Sequence, residues 1–297
     1  MIVFDHVSLI YPSGIEALKD ISFQIHNKER IVLYGPSGSG KTTILSLLAG
    51  LIKPTKGEIH KEQGQTVRLV FQEDRLFDHL SVYENIAFGL DRSKFNETEI
   101  ESLVREIADL TRTDTYLGQR TSSLSGGQRQ RVAIARALVS HPKLLLMDEA
   151  FNHLDPELKK NLIFDLIQWL KDLEVTLVFV SHDFQESLLL ANRMIVLEHS
   201  KIAQIGSPES IEKHPATIDI ASSLSLLGMN EWKGHIIAID ECSFEKKKGW
   251  IEVSGWIDEE VIEYKDRYLH VGRLEEKIFC VLSDRPCKEN CPIYINL

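Results

Sequence analysis

The sequence predicts a layered α/β domain over residues 1–230, followed by a small β-rich domain over residues 231–297. Three observations carry this reading. Short apolar runs such as RIVLY at 30–34 and LLLM at 144–147 read as buried strands. Between such runs, apolar residues recur at helical spacing: Ile44, Leu47, Leu48 and Leu51 in one segment, Leu158, Leu162, Leu166 and Leu170 in another. That alternation is the pattern of a layered α/β domain. Beyond residue 230 the helical spacing gives way to brief strand-like runs separated by charges.

In chain order, residues 2–9 and 21–25 read as members of a small separate sheet. Residues 30–34 form a buried strand, and the segment carrying Ile44 to Leu51 a helix. Residues 68–71 and 144–147 are strands, 157–173 a long helix, and 176–180 and 194–197 two more buried strands. Ser207-Pro208 supplies a cap residue and a proline suited to the first helical position, which starts a short helix. In the C-terminal segment, strands are predicted near 235–239, 250–256, 268–271, 277–282 and 293–295, and their number suggests a compact barrel.

Composition narrows the function classes. The chain has 297 residues, with 34 Lys and Arg against 44 Asp and Glu, a formal charge of -10. An acidic chain is poorly suited to nucleic acid or to anionic lipid, so no nucleic-acid partner is expected. No apolar run approaches the roughly 18 residues of a membrane span. The opening Met1-Ile-Val-Phe-Asp lacks the grammar of a signal peptide. A cytoplasmic location is expected, with any membrane attachment made through a partner.

Gly35, Pro36, Ser37, Gly38, Ser39, Gly40, Lys41 and Thr42 fit the G-x-x-x-x-G-K-[ST] pattern, between a predicted strand and a predicted helix. Glycines let the backbone curl so that successive N–H groups point at anionic oxygens. The helix start presents its positive end to the same oxygens. Lys41 adds a full charge at the β- and γ-phosphates of a nucleotide, and the Thr42 hydroxyl is a ligand for Mg²⁺, with Thr43 beside it.

The run KLLLMDE at 143–149 is an apolar strand ending in two carboxylates. Ligands of open α/β sheets bind beyond the carboxyl ends of strands. Asp148 is placed to hold Mg²⁺ through water, and Glu149 to orient or deprotonate an attacking water.

Leu124, Ser125, Gly126, Gly127 and Gln128, followed by Arg129-Gln130-Arg131, resemble the signature of ATP-binding cassette (ABC) ATPases. Further elements follow in that family's order. Tyr11 lies where its adenine-stacking aromatic sits. Gln72 resembles the glutamine that senses Mg²⁺ and water, and Asn152-His153-Leu154-Asp155 the loop that crosses to the opposite subunit. His182, after Phe179-Val180-Ser181, resembles the histidine that contacts the γ-phosphate. The resemblance covers residues 1–230. It implies a P-loop NTPase fold with a mostly parallel core sheet, an N-terminal antiparallel β subdomain and a helical subdomain at about 73–140. Ala150 stands where many members have Pro, and Asn152-His153 where Ser-Ala is commoner.

The resemblance also implies ATP and Mg²⁺ as cofactors and a shared ATP site. The Lys41 loop of one cassette binds the phosphates, while Ser125 to Gln128 of the other close over them. A homodimer, or a heterodimer with a related cassette, follows. The segment 75–90 is closest to importer ATPases and implies an integral-membrane permease as partner, with a substrate-binding protein possible in such systems. The chain would then sit on the inner face of the membrane through that permease. Leu76, Phe77, Tyr83 and Phe88 are the groove residues this reading selects; the competing reading makes most of them core under the helical subdomain. The alternatives to an importer subunit are an exporter cassette or a non-transport ABC ATPase acting on ribosomes or DNA.

All four cysteines, Cys242, Cys280, Cys287 and Cys291, fall in the C-terminal segment. Two readings stand: reduced cytosolic thiols, or a second metal or redox site including His270. The spacings C-x6-C and C-x3-C match no standard zinc-finger or ferredoxin pattern. A regulatory role for this segment is implied by the C-terminal β-barrel domains of importer ATPases.

Overall fold

The computed structural model of the chain describes residues 1–62 and 64–224, and beyond them residues 229–232, 235–238, 242–243, 247–248, 250–253, 257–264, 267–274, 277–283 and 293–295. It divides into two compact units, Met1–Glu209 and Ser210–Leu297.

The first unit opens with β1 (Ile2–Ile10), β2 (Glu16–Ile25) and β3 (Arg30–Tyr34), followed by α1 (Lys41–Leu48). Alternate residues of β1 and β2 are apolar, so one face of their antiparallel ribbon is buried, and the Phe4 and Phe23 rings stack across it at 4.5 Å. The strand β4 (Lys56–His60) joins β1 on its other side, giving the order β2-β1-β4.

The central sheet is built from β3, β5 (Val67–Val70), β6 (Leu144–Asp148), β7 (Thr176–Ser181), β8 (Arg193–Glu198) and β9 (Lys201–Gly206), in the order β5-β6-β7-β3-β8-β9. All neighbours run parallel except β8 and β9. Residues 31–34, 144–147 and 176–181 are buried throughout, as continuous apolar strands covered on both faces require. Ile44 and Leu48 of α1 pack into the core with Leu33, Leu146, Val178 and Ile195.

A helical region lies between β5 and β6: α2 (Val82–Ala87), α3 (Glu97–Thr111) and α4 (Gly126–Leu138). Each starts on a capping box, formed by Ser81 with Glu84, Asn96 with Glu99, and Ser125 with Gln128. Two further helices, α5 (Pro156–Asp172) and α6 (Phe184–Leu190), follow β6 and β7, and Asp155 and Asp183 cap them.

The helix α7 (Pro208–Lys213) spans the division between the units. The second unit holds α8 (Ile218–Leu224) and strands β10 (Met229–Trp232), β11 (His235–Ala238), β12 (Cys242–Ser243), β13 (Ile251–Val253), β14 (Ile257–Tyr264), β15 (Arg267–Leu274), β16 (Lys277–Ser283) and β17 (Ile293–Ile295). Among the described residues these strands form three small antiparallel sheets, β10-β11, β12-β17-β13 and β14-β15-β16, in place of one closed barrel. Cys242 is buried with Ile237, Val253, Val281, Ile293 and Ile295. His270 is buried within 3.0 Å of the Ser283 hydroxyl. Cys280 lies on β16, while Cys287 and Cys291 lie outside the described residues. Among the described residues, no three His, Cys, Asp or Glu side chains are grouped to hold a metal.

Candidate active site

In the central sheet β6, β7 and β3 are consecutive and parallel, so the segments that follow them emerge on one edge. The segment after β3 is the glycine-rich loop. At Gly35, φ is +143° and a Cβ would lie 2.2 Å from the Leu197 carbonyl oxygen of β8. At Gly40, φ is +104° and a Cβ would lie 2.7 Å from the Ala17 carbonyl oxygen. Only glycine meets both the left-handed conformation and the close approach.

The loop ends at the start of α1, whose first-turn N–H groups have no partner within the helix and form its positive end. The Ser39 hydroxyl is buried with no hydrogen-bond partner among the described residues. The buried Lys41 ammonium donates to the carbonyls of Gly35 (2.7 Å) and Pro36 (2.8 Å). Burial lowers its pKa, against the opposing pull of the Glu149 and Asp148 carboxylates.

The two carboxylates stand at the end of β6. Asp148 accepts a long hydrogen bond from the Thr42 hydroxyl at 3.4 Å. Burial pushes its carboxyl above the usual range and the neighbouring Glu149 adds to the rise; Thr42 and Lys41 only partly offset them. Glu149 has φ +47°, the left-handed region, and its N–H donates to the Val180 carbonyl of β7 at 3.1 Å. Its Oε1 lies 3.4 Å from His182 Nδ1, and its Oε2 accepts from Asn152 Nδ2 at 2.6 Å.

A cavity of about 400 Å³ joins the loop to Glu149; its walls include Ser37, Gly38, Gly40, Lys41, Thr42, Thr43 and Glu149, while Asp148 and His182 stand outside its lining. Tyr11 stands on the wall with its hydroxyl 3.1 Å from that of Thr43. The cradle fits a phosphate chain, because its left-handed curl packs so closely on the Leu197 and Ala17 carbonyls that no Cβ is admitted at Gly35 or Gly40, and because the buried Ser39 hydroxyl is without a partner among the described residues. Thr42 and Asp148 are hard oxygen donors of the kind Mg²⁺ takes.

Other residues singled out by sequence lie elsewhere. Gln72 is exposed on the bend after β5 and is not part of the cavity wall. Ser125, Gly126, Gly127 and Gln128 open α4, also away from that wall. A Cβ on Gly127 would meet Leu158 at 2.4 Å. The Asp155 carboxylate caps α5, accepting from the Leu158 N–H at 2.9 Å. Sequence reasoning missed Ile15, Glu16, Ala17 and Ser200, which line the cavity, and the contact of Asn152 with Glu149. No local motif marks them; tertiary pairing brings them in.

A second cavity, of about 360 Å³, lies by β5 and the helical region and is lined by Phe71, Arg75, Phe77, Phe88, Arg136 and others. The Phe77 and Phe88 rings meet edge to face at 4.6 Å, and Phe88 is 62% exposed. Of the four groove residues selected by sequence, Phe77 and Phe88 line this cavity; Leu76 is buried and Tyr83 half-buried, and neither lines it.

The family model described as "ABC transporter" matches residues 18–152. The oligosaccharides import ATP-binding protein MsmX of Bacillus subtilis (strain 168) is 35% identical over 274 residues, covering 87% of this chain and 75% of MsmX. The sn-glycerol-3-phosphate import ATP-binding protein UgpC of Jannaschia sp. (strain CCS1) is 39% identical over 237 residues, covering 77% of this chain and 68% of UgpC. Among solved structures, a dimeric post-hydrolysis state of the ATP-binding cassette MJ0796 bound to ADP and Pi superposes with a TM-score of 0.62 at 27% identity, over 70% of this chain and 99% of that one. With a phosphate cradle at the end of β3, paired carboxylates at the end of β6 and these relatives, the chain belongs to the ABC transporter family.

Proposed function

We propose that the chain is the ATP-hydrolysing subunit of an ABC importer, working as a dimer against a separate membrane permease. One observation carries this: Lys41, Thr42 and Glu149 line one cavity beneath a glycine cradle, at the edge where β3 and β6 end. The import ATP-binding proteins among its relatives support the direction of transport.

In this reading the cradle N–H groups and Lys41 bind the triphosphate, and Tyr11 stacks on the adenine. Thr42 and Asp148 are the residues that would hold Mg²⁺, and Gln72, exposed after β5, would join them only on moving toward the cavity. Bound there, the ion screens the triphosphate charge and polarises the γ-phosphoryl group. Glu149 orients and deprotonates the attacking water, and His182, beside it, contacts the γ-phosphate. Ser125 to Gln128, opening α4, face the nucleotide of a second cassette, and Asp155 lies on the loop between the two. ATP favours the closed pair and ADP the open one, which is a population switch driven by differential affinity. The cavity walled by Phe77 and Phe88 receives an apolar segment of the permease.

Purified chain should hydrolyse ATP with magnesium, and a polytopic permease should co-purify with it from native membranes. Absence of ATP binding would end the ATPase reading; co-sedimentation with ribosomes in place of a permease would favour a non-transport ABC ATPase.

A further inference from the structure

We infer that Asn152 is a positioning residue for the Glu149 carboxylate, an inference that rests on the ATPase reading above. Glu149 and Asn152 belong to one tight turn at the end of β6, closed by the Asn152 N–H donating to the Glu149 carbonyl at 3.2 Å. The turn begins with Glu149 in the left-handed region at φ +47°, a conformation that costs a non-glycine residue energy and is held by neighbouring contacts. Here the Val180 carbonyl accepts from the Glu149 N–H at 3.1 Å. The turn brings the Asn152 amide back onto the carboxylate at 2.6 Å, a short, close hydrogen bond. An ionised carboxylate only accepts, so the amide must present its NH₂.

The consequence is an asymmetric carboxylate. Oε2 is engaged by Asn152, while Oε1 is the oxygen 3.4 Å from His182. A carboxylate free to rotate offers its lone pairs to water in many directions. One tied at Oε2 directs Oε1 toward the side where His182 stands. Asn152 touches no reacting atom in this scheme and acts through Glu149. Serine, the commoner residue at this place in the resemblance, also carries a donor but a shorter one.

The test uses the full chain with Asn152→Ala, Asn152→Asp and Asn152→Ser. ATP turnover with magnesium, affinity for a fluorescent ATP analogue and the thermal midpoint are measured for each. Asn152→Ala should lower kcat about tenfold with KM and analogue affinity within about twofold, because only orientation is lost. Asn152→Asp puts a second carboxylate against the first and should lower kcat by about a hundredfold. Asn152→Ser should recover about a third or more of the wild-type kcat. A kcat within about twofold of wild type for both Ala and Asp variants would overturn the inference. So would equal losses in all three that track a lowered thermal midpoint. Wild type that binds no analogue overturns the ATPase reading and the inference together; wild type that turns over ATP beside unaffected variants overturns the inference alone.

Discussion

Arg129, in the first turn of α4, grips Asp74 with both arms of its guanidinium: Nε donates to Oδ2 at 2.7 Å and Nη2 to Oδ1 at 2.9 Å. Nη1 also donates to Asp78 at 2.8 Å and to the Thr121 carbonyl at 3.0 Å. The helix that opens on Ser125 is thereby tied to the segment just after Gln72. Arg129→Ala strands a half-buried carboxylate and should cost about 2 kcal/mol, as lost hydrogen bonds to charged groups do. Its thermal midpoint should fall by about 4–8 °C. A shift below about 1 °C would show the pair to be ornamental.

The same pair gives a pH signature. Burial alone would raise the Asp74 carboxyl, but hydrogen bonds from Arg129 and the Leu76 N–H, with the charges of Arg129 and Arg136, bring it below its ordinary 3.8. A depressed carboxyl contributes stability above its unfolded value and loses it as pH falls through the folded value. The advantage of wild type over Asp74→Asn should therefore be constant near neutral pH and shrink below about pH 4. Thermal melts across an acid series test this; an advantage that grows on acidification contradicts it.

Lys41→Ala should abolish nucleotide affinity, because the cradle loses its one full positive charge. Glu149→Gln keeps the size but removes the base, and should lower turnover by at least about a hundredfold. The Gln variant should accumulate as an ATP-bound dimer, visible by size-exclusion chromatography with multi-angle scattering. Ordinary steady-state turnover by Glu149→Gln would remove the assigned role.

Two glycines of the cradle should respond differently to alanine. Gly38 has φ +79° and a Cβ there meets nothing within 4 Å. Its replacement costs only the left-handed penalty, about 1–2 kcal/mol. Gly35→Ala drives a methyl into the Leu197 carbonyl and should cost more than about 4 kcal/mol, or prevent folding. Denaturant midpoints that fail to separate the two variants would contradict the packing of the loop on β8.

Phe88 is exposed beside Phe77, so Phe88→Ser should lower stability by less than about 1 kcal/mol. It should nevertheless reduce the permease recovered with the chain from native membranes. Undiminished recovery would place the permease contact elsewhere.

The apolar strands of the central sheet were legible because burial on both faces writes itself as an uninterrupted apolar run, as in RIVLY. The long helix α5 was legible for its period, and its observed span, Pro156–Asp172, lies within a residue of the expectation. The strands β4 and β9 were not, because KGEIH and KIAQIG are polar edge segments defined by their pairing partners. In the site, Lys41, Thr42, Asp148 and Glu149 follow from motif chemistry. The contribution of Asn152 does not, since it depends on the positive φ of Glu149, which no residue pattern announces. The helix starting at Pro208 was readable from its cap, whereas the separation of the strands after residue 228 into three sheets turns on long-range pairings such as Cys242 with Ile295.

Lys41, Glu149 and His182 lie in the segments that follow β3, β6 and β7, strands adjacent in the sheet but far apart along the chain. A chain interrupted before residue 182 lacks part of the set. If these three residues act as proposed, a nascent chain consumes no fuel until the layer through β7 has been made and closed.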